Sequence, residues 1–323
     1  MKRRDFITVL VGATTWASSG YAQERRHVIG FLMGLSDALP GTLPAFYQGL
    51  KETGFVEGKN ISTEFRRADG DYHRLPSLAT ELVARNVSVI YAYDVPSAFA
   101  AKAATTTIPI VFAVGADPVK LGLVESLSRP NGNLTGVAIL LGSLGPKQLE
   151  LLRELLPNSN KVALLLNPSN PNAQIDTPEI QAAADALGER LEVVTASTES
   201  ELETSFTTLV RQGLHALVVK PDPLFIALRE RLVALTAHHA IPAIYSHRVF
   251  VDVGGLISYG ANLLDASWQM GTYTGRILKG AKPADLPVHQ SIKFDLVVNL
   301  RTAKVLGLTV PPELIARADE VIE

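Results

Sequence analysis

Short apolar runs rich in β-branched residues alternate along the chain with longer stretches in which apolar residues recur at helical spacing. The short runs predict strands at residues 27–33, 61–66, 87–92, 110–114, 162–167, 191–195, 216–220 and 243–245. The longer stretches predict helices at residues 43–53, 72–85, 96–105, 172–187, 199–211 and 224–239. Alternation of this kind is typical of βα units built on a parallel sheet.

The predicted strands form two groups of four that resemble each other. Residues 28–33 align with 162–167 as opening strands, 89–94 align with 216–222 as strands that end in an aspartate, and 108–112 align with 241–245. Three correspondences in one order favour a duplicated lobe over one long sheet. The length of 323 residues agrees, because one hydrophobic core rarely extends beyond about 250–300 residues. The predicted fold class is α/β, with two Rossmann-like (flavodoxin-like) lobes on parallel sheets.

The N-terminus has the features of an export signal. Lys2, Arg3 and Arg4 precede a short apolar stretch, which ends in the small-x-small sequence Gly20-Tyr21-Ala22. The arginine pair resembles a twin-arginine signal, although Sec export stays open. We therefore predict a signal peptide over residues 1–22, cleavage near Ala22 and a periplasmic mature protein. The apolar stretch is too short to span a bilayer, and no later segment has about 18 consecutive apolar residues, so no stable membrane insertion is expected.

Composition excludes several classes of protein. The chain carries 30 basic and 32 acidic side chains, a net charge of −2, and no cysteine. The charge argues against a basic nucleic-acid binder, and the missing cysteine excludes disulfides, thiolate metal sites and a lipid anchor on cysteine. Adjacent histidines on a helix point in different directions, so His238-His239, with His247 nearby, predicts no metal site. No P-loop, nucleophile elbow or G-x-G-x-x-G sequence is found, and neither a cofactor nor catalytic residues are predicted.

Candidate ligand-binding residues follow from the fold class. Ligands of open parallel sheets lie beyond the carboxyl ends of the strands, and two facing lobes bring both sets of strand-end loops to one cleft. These loops nominate Met33, Ser36, Tyr93, Asp94, Gly115, Asp117, Asn167, Asn170, Asp222, Tyr245, Tyr259 and Asn262. The set suits a zwitterion or another polar metabolite, because a carboxylate pairs with an ammonium group and aromatic rings enclose an apolar or aromatic side chain.

Each nominated residue also has a structural interpretation. Asp94 and Asp222 stand just before predicted helices, where aspartate is a favoured N-cap, and Asp117 precedes Pro118 in the same way. Tyr245 and Tyr259 end apolar runs, where half-buried packing is common. Both interpretations stay open at this level.

Several segments carry a resemblance to a known family. They are residues 47–61 (YQGLKETGFVEGKNI), 68–72 (ADGDY), 109–119, 129–136 (RPNGNLTG), 277–287 and 299–312. In these segments the chain resembles the ABC-transporter substrate-binding proteins with the type I periplasmic-binding fold, and within them the branch that includes tryptophan- and tyrosine-binding members. The resemblance covers the whole mature chain and implies a three-segment hinge. It places lobe 1 at residues 23–140 plus 262–290 and lobe 2 at residues 141–261 plus 291–323.

The resemblance and the residues lead to one functional hypothesis with two alternatives. The hypothesis is a monomeric periplasmic solute-binding protein that captures an amino acid, or an aromatic or small organic acid, by hinge closure and delivers it to the membrane permease of an ABC importer. The first alternative is an exported enzyme with Asp94 and Asp222 as acid and base. The second is a ligand-sensing receptor without a role in transport.

Overall fold

The computed structural model of the chain describes residues 26–139, 144–157, 159–290 and 293–323. The predicted signal peptide and the lobe boundaries predicted at residues 140–141 and 290–291 fall wholly or partly outside these ranges.

Thirteen strands and twelve α-helices are found in the described residues. The strands are β1 (His27–Met33), β2 (Ile61–Arg67), β3 (Val89–Ala92), β4 (Ile110–Val114), β5 (Leu134–Ala138), β6 (Lys161–Leu166), β7 (Arg190–Thr195), β8 (Leu217–Val219), β9 (Ala243–Tyr245), β10 (Ile257–Ala261), β11 (His289–Gln290), β12 (Phe294–Asn299) and β13 (Glu320–Ile322). The helices are α1 (Thr42–Glu52), α2 (Leu75–Ala84), α3 (Val95–Ala104), α4 (Gly145–Leu155), α5 (Ala173–Leu187), α6 (Glu199–Arg211), α7 (Pro223–Ala227), α8 (Arg229–His238), α9 (Val249–Asp252), α10 (Leu263–Leu278), α11 (Leu300–Val305) and α12 (Pro312–Arg317).

The strands form two sheets, one in each lobe. The first has the order β11-β5-β4-β3-β1-β2 and is parallel throughout. The second has the order β13-β12-β10-β9-β8-β6-β7 and is parallel except for the pair β10 and β12. The strands aligned by sequence occupy equivalent positions in the two sheet orders. The equivalent pairs are β1 with β6, β3 with β8 and β4 with β9. The predicted α/β class with two parallel-sheet lobes is confirmed.

The inner strands are apolar because both of their faces are covered. Every residue of β4 is buried, as is every residue of β6 except Lys161. Helices cover both faces of a parallel sheet, so its strands have no polar face and appear in sequence as continuous apolar runs. This is why their positions could be predicted.

The prediction of four strands in each lobe was wrong, because the sheets have six and seven strands. The additional strands lie on the side of each sheet where the chain passes between lobes; they are β5 and β11 in the first sheet and β10, β12 and β13 in the second. Helix α4 and helix α10 were not predicted either, and the helix predicted at 224–239 is divided into α7 and α8.

The chain changes lobes three times: between β5 and α4, between β10 and α10, and between β11 and β12. At the last two crossings the backbone N–H of Asn262 donates to the carbonyl of Lys293 over 2.9 Å, so two hinge segments run side by side. The domain limits given above stay a prediction.

Helix α10 returns to the first lobe and packs closely against α1. A Cβ atom at Gly49 would lie 2.1 Å from the carbonyl oxygen of Trp268, and one at Gly271 would lie 2.0 Å from that of Phe46. No side chain fits at either contact, so glycine is required for this helix pair. The packing places the first turns of α10 at the cleft.

No helix within the described ranges is long and apolar enough to cross a membrane.

Candidate ligand-binding site

A cavity lies between the two lobes, at the carboxyl ends of strands from both sheets. The space between its walls, part of which is open to solvent, is about 680 Å³. The first lobe contributes mainly apolar and aromatic side chains, and the second contributes most of the amide and acidic groups. Small-molecule sites have this composition, apolar with a few convergent polar groups.

The wall formed by the first lobe is aromatic and rigidly held. The Tyr93 hydroxyl accepts a hydrogen bond from the backbone N–H of Leu39 over 3.0 Å and lies 2.7 Å from the hydroxyl of Thr42. The ring centroids of Tyr91 and Tyr93 are 5.6 Å apart, and Tyr91 stacks on Phe46. Burial raises the pKa of Tyr93 to about 12, so its phenol stays protonated at physiological pH. These rings form a fixed apolar surface for a flat ligand group.

Asp94 follows β3 and is the N-cap of α3. One carboxylate oxygen accepts the backbone N–H of Ser97 over 2.9 Å, and the other accepts that of Gly34 over 2.6 Å. Burial raises the pKa of Asp94, and these hydrogen bonds oppose the rise. Each oxygen is therefore already engaged by the backbone of its own lobe.

Asp222 is the equivalent residue in the second lobe, after β8, and caps α7. It is 3% exposed. It accepts hydrogen bonds from the backbone N–H of Leu224 (2.9 Å) and from the side-chain amides of Asn167 (3.2 Å) and Asn170 (2.8 Å). Burial is the main cause that raises its pKa to about 6. All these partners are neutral, so none of the described groups that hold Asp222 carries a balancing charge.

The Tyr72 hydroxyl also reaches this position from the first lobe. It lies beside Asp222, and burial together with that carboxylate raises the pKa of Tyr72 well above its usual value. Within the described part of the chain this buried hydroxyl makes no hydrogen bond of normal geometry. Among the described residues that line the cavity there is no lysine or arginine. The polar end of the cavity thus presents carboxylates and neutral groups, which suits a cationic ligand group.

Two further cavities adjoin the first. One lies on the hinge side, spans about 1100 Å³ including open solvent, and shares Leu39, Thr42, His247 and Leu263 with the central cavity. The other spans about 970 Å³, again including open solvent, on the far side of the segment 35–40.

The structure brings some of the residues predicted from the sequence to these cavities. Tyr93, Asp94, Gly115, Asn170 and Asp222 line the central cavity, Asn262 lines the hinge-side cavity and Ser36 lines the outer one.

The other five predicted residues do not line any of the three cavities. Met33 is fully buried in the core of the first lobe. Tyr245 is also fully buried, with its hydroxyl 3.2 Å from that of Thr236. Asp117 accepts the backbone N–H of Val119, and so stabilises its own turn.

Asn167 and Tyr259 have supporting positions. Asn167 holds Asp222 from behind, and its side-chain oxygen accepts the backbone N–H of Ser169. Tyr259 packs against Phe294 at a centroid distance of 6.0 Å. Packing is therefore the interpretation that the structure favours for both predicted strand-end tyrosines, and N-capping holds for both cavity aspartates.

Sequence reasoning missed several cavity residues, among them Leu39, Tyr91, His247 and Ser267. Tyr91 lies inside a predicted strand and Ser267 lies on the unpredicted helix α10, so neither was at a strand end. His247 comes two residues after the end of β9, and the strand-end rule could have included it.

The two lobes are in contact around the cavity. A Cβ atom at Gly34 would lie 3.1 Å from the Pro223 ring, and Lys120 forms an ion pair with Glu179 of the second lobe over 2.9 Å. The cleft is therefore closed in this structure.

Comparison with known proteins agrees with this architecture. Residues 31–322 match the family model described as ABC transporter substrate binding protein. The chain is also similar to a curated relative, a tyrosine-binding protein of Clostridioides difficile (strain R20291). The two are 30% identical over 263 residues, which are 81% of this chain and 75% of the relative.

Solved structures extend the comparison. A conserved domain protein from Vibrio cholerae superposes with a TM-score of 0.86 at 28% identity, and covers 92% of this chain and 99% of its own. An ABC domain in complex with L-Trp from Streptococcus pneumoniae superposes with a TM-score of 0.81 at 26% identity, over 92% and 100% of the two chains. The ligand-free, open structure of a substrate-binding protein from Clostridium difficile superposes with a TM-score of 0.64 at 27% identity. The match covers 92% of this chain and 99% of the other.

At almost equal sequence identity, the ligand-bound structure fits better than the open one. This agrees with the lobe contacts described above. The fold is that of the type I periplasmic-binding proteins.

Proposed function

The chain belongs to the family of ABC transporter substrate-binding proteins, and we propose that it is the periplasmic receptor of an ABC importer for an aromatic amino acid. Two relatives support this ligand class by their names, one as a tyrosine-binding protein and one as a complex with L-Trp. The membrane permease of the importer is the proposed macromolecular partner, and the receptor acts as a monomer.

One observation carries the proposal: Asp222 is buried at the cavity between the lobes, and its hydrogen-bond partners among the described residues are neutral. A buried carboxylate without a counter-charge is costly, and an ammonium group placed beside it offsets much of that cost. The α-ammonium group of an amino acid supplies this charge. The rings of Tyr91 and Tyr93, with Leu39 and Ile226, then enclose its aromatic side chain.

The mechanism follows from the division of the site between the lobes. A ligand that contacts Asp222 in one lobe and Tyr93 in the other binds the closed state more tightly than the open state, and so shifts the population towards closure. Hinge segments such as Asn262 and Lys293 absorb the movement. The closed form is the one that the permease recognises. The family name also favours binding over catalysis, and Asp94, the other half of the alternative acid–base pair, already accepts two backbone N–H groups.

Export places the receptor on the same side of the membrane as its ligand. The charged start and short apolar stretch of residues 1–22 support this location. Cell fractionation of the full-length chain tests it: the mature protein, shortened by about 22 residues, is expected in the periplasmic fraction. Uncleaved protein in the cytoplasm would contradict it.

Ligand binding is tested on the mature protein after unfolding and refolding to remove co-purified ligand. L-tryptophan, L-tyrosine and L-phenylalanine are titrated by calorimetry and by thermal shift. A ligand at 100 times its Kd stabilises the folded state by about 2.7 kcal/mol, which is readily measured. Asp222→Asn should weaken binding by about 10- to 100-fold, whereas exposed Asp265→Asn should leave it unchanged. Absence of any shift with all three amino acids would refute the proposal.

A further inference from the structure

His247 is a polar residue of the cleft for which the structure shows no protein partner. It lies on the second lobe just after β9 and lines both the central cavity and the hinge-side cavity. It is 9% exposed. Within residues 26–139, 144–157, 159–290 and 293–323, neither ring nitrogen makes a hydrogen bond. The ring lines both cavities, so its donor and its acceptor are free for a group that enters the cleft.

The backbone around His247 is held firmly. The side-chain amide of Gln148 donates to the hydroxyl of Ser246 over 3.1 Å and to the carbonyl of Tyr259 over 2.9 Å. Strand β10 approaches so closely that a Cβ atom at Gly260 would lie 1.8 Å from the carbonyl oxygen of Ser246. The ring therefore projects from a rigid support, as a ligand-binding group requires.

The charges near the ring show which ligand group it can serve. Arg248, the next residue, is the cation that lines the hinge-side cavity in the described structure, but its guanidinium already pairs with Asp252 over 3.1 Å and Glu320 over 2.8 Å. Asp94 and Asp222 at the central cavity repel a carboxylate. A neutral imidazole carries one N–H, and burial keeps this ring neutral by lowering the pKa of His247 to about 4. Its N–H is thus an unused donor beside an arginine that is already paired.

We propose that His247 binds the carboxylate of the ligand through its ring N–H, while Asp222 takes the ammonium group. This inference rests on the proposed function. It assigns the two charged ends of the amino acid to two residues of the second lobe, and so leaves the aromatic side chain to the wall formed by Tyr91 and Tyr93. It also predicts selection for free amino acids over amines that lack the carboxylate.

The test measures the binding of two ligands to variants at position 247. His247→Leu removes the donor but keeps an apolar side chain in a buried place, and His247→Gln keeps a donor. His238→Leu is the matched control, because His238 is exposed on α8 and lies outside the three cavities. Affinity is measured by calorimetry for L-tyrosine and for tyramine, which is the same molecule without the carboxylate.

We expect His247→Leu to weaken L-tyrosine binding by about 10- to 100-fold, the effect of losing a hydrogen bond to a charged group. His247→Gln should recover most of this loss, and His238→Leu should match the wild type. Tyramine should bind the wild type and His247→Leu with similarly low affinity. In a crystal structure of the L-tyrosine complex, one carboxylate oxygen should lie within about 3.2 Å of a ring nitrogen.

Other outcomes overturn the inference in distinguishable ways. If His247→Leu binds L-tyrosine as tightly as the wild type, or if the carboxylate lies beyond about 3.5 Å from both ring nitrogens, His247 does not bind it and the proposed function still stands. Equal losses of affinity for L-tyrosine and tyramine in His247→Leu would show that the ring only packs against the ligand. A wild-type protein that binds no aromatic amino acid overturns both proposals together.

Discussion

Asp222 and His247 should make opposite contributions to the pH dependence of folding. The pKa of Asp222 is raised by burial to about 6, against about 3.9 in the unfolded chain. The protonated carboxyl is therefore favoured in the folded state, and its stabilisation is complete below about pH 4 and is lost as the pH rises through 6. A difference of about two pKa units corresponds to about 3 kcal/mol.

The sign is reversed for His247. Burial lowers the pKa of this residue to about 4, against about 6.5 in the unfolded chain. The folded state favours the neutral ring, so its contribution is complete above about pH 6.5 and is lost as the pH falls through 4. The magnitude is again about 3 kcal/mol. Between pH 4 and 6.5 the two effects nearly cancel in the wild-type protein.

Single substitutions should uncover each effect. In Asp222→Asn the histidine contribution is no longer opposed by that of Asp222, so the free energy of unfolding relative to wild type should rise by about 3 kcal/mol from pH 4 to 6.5. In His247→Gln it should fall by a similar amount over the same range. Burial also raises the pKa of Asp94, but this residue is present in every variant and cancels in the differences from wild type. A loss of stability that is the same at every pH does not alter the slope of the unfolding free energy against pH.

Urea unfolding of the ligand-free mature protein at intervals of about half a pH unit measures these slopes. Asp265→Asn, a change of the same type at an exposed position, should give a curve parallel to the wild type. If the curve of Asp222→Asn is also parallel to the wild type between pH 4 and 6.5, the carboxylate is not buried with neutral partners alone, and the argument for an ammonium ligand loses its basis.

Three further predictions concern packing, closure and capping. Gly271→Ala forces a Cβ atom to within 2.0 Å of the Phe46 carbonyl oxygen, so α1 and α10 must separate, and urea unfolding should show a loss of about 1–3 kcal/mol. Glu179→Gln removes the ion pair with Lys120 between the lobes; because both side chains are about half exposed, calorimetry should show Kd rising only about twofold, and less at high salt. Asp94→Ala removes the N-cap of α3, and unfolding should show a loss of about 1–2 kcal/mol, with unchanged stability contradicting the capping role.

The sequence predicts the inner strands well because their burial is a local property. A strand covered on both faces must be apolar along its length, and β4 and β9 begin and end at the predicted residues. Strands β5 and β10 were missed for a physical reason that they share. Each contains a glycine where the neighbouring backbone leaves no space: a Cβ atom at Gly136 would lie 2.0 Å from the Phe112 carbonyl oxygen, and one at Gly260 would lie 1.8 Å from that of Ser246. A glycine within a short apolar run indicates a turn from sequence alone, although here it allows two strands to approach.

The candidate site is predictable only where it follows strand ends. Asp94 and Asp222 were placed correctly at the cleft by that rule, although their contact with ligand stays a prediction. The rule fails at Tyr245 because the last residue of β9 points into the core. It also cannot find Leu39 or Ser267, because their positions depend on a loop and on a helix that returns from the far end of the chain.

The two lobes hold equivalent aspartates in different ways, and this difference bears on how the proposed ligand is recognised. Asp94 gives both oxygens to backbone groups of its own lobe, so its charge stabilises α3 and the loop at Gly34 with or without ligand. Asp222 is held largely by the neutral amides of Asn167 and Asn170, and none of its described hydrogen-bond partners is a cation. Asp222 therefore gains more from a cation than Asp94 does, while the tyrosines among the described lining residues belong to the first lobe. A ligand that has only a cationic group or only an aromatic group is held by one lobe. A molecule that carries both a cationic and an aromatic group is needed to favour the closed state.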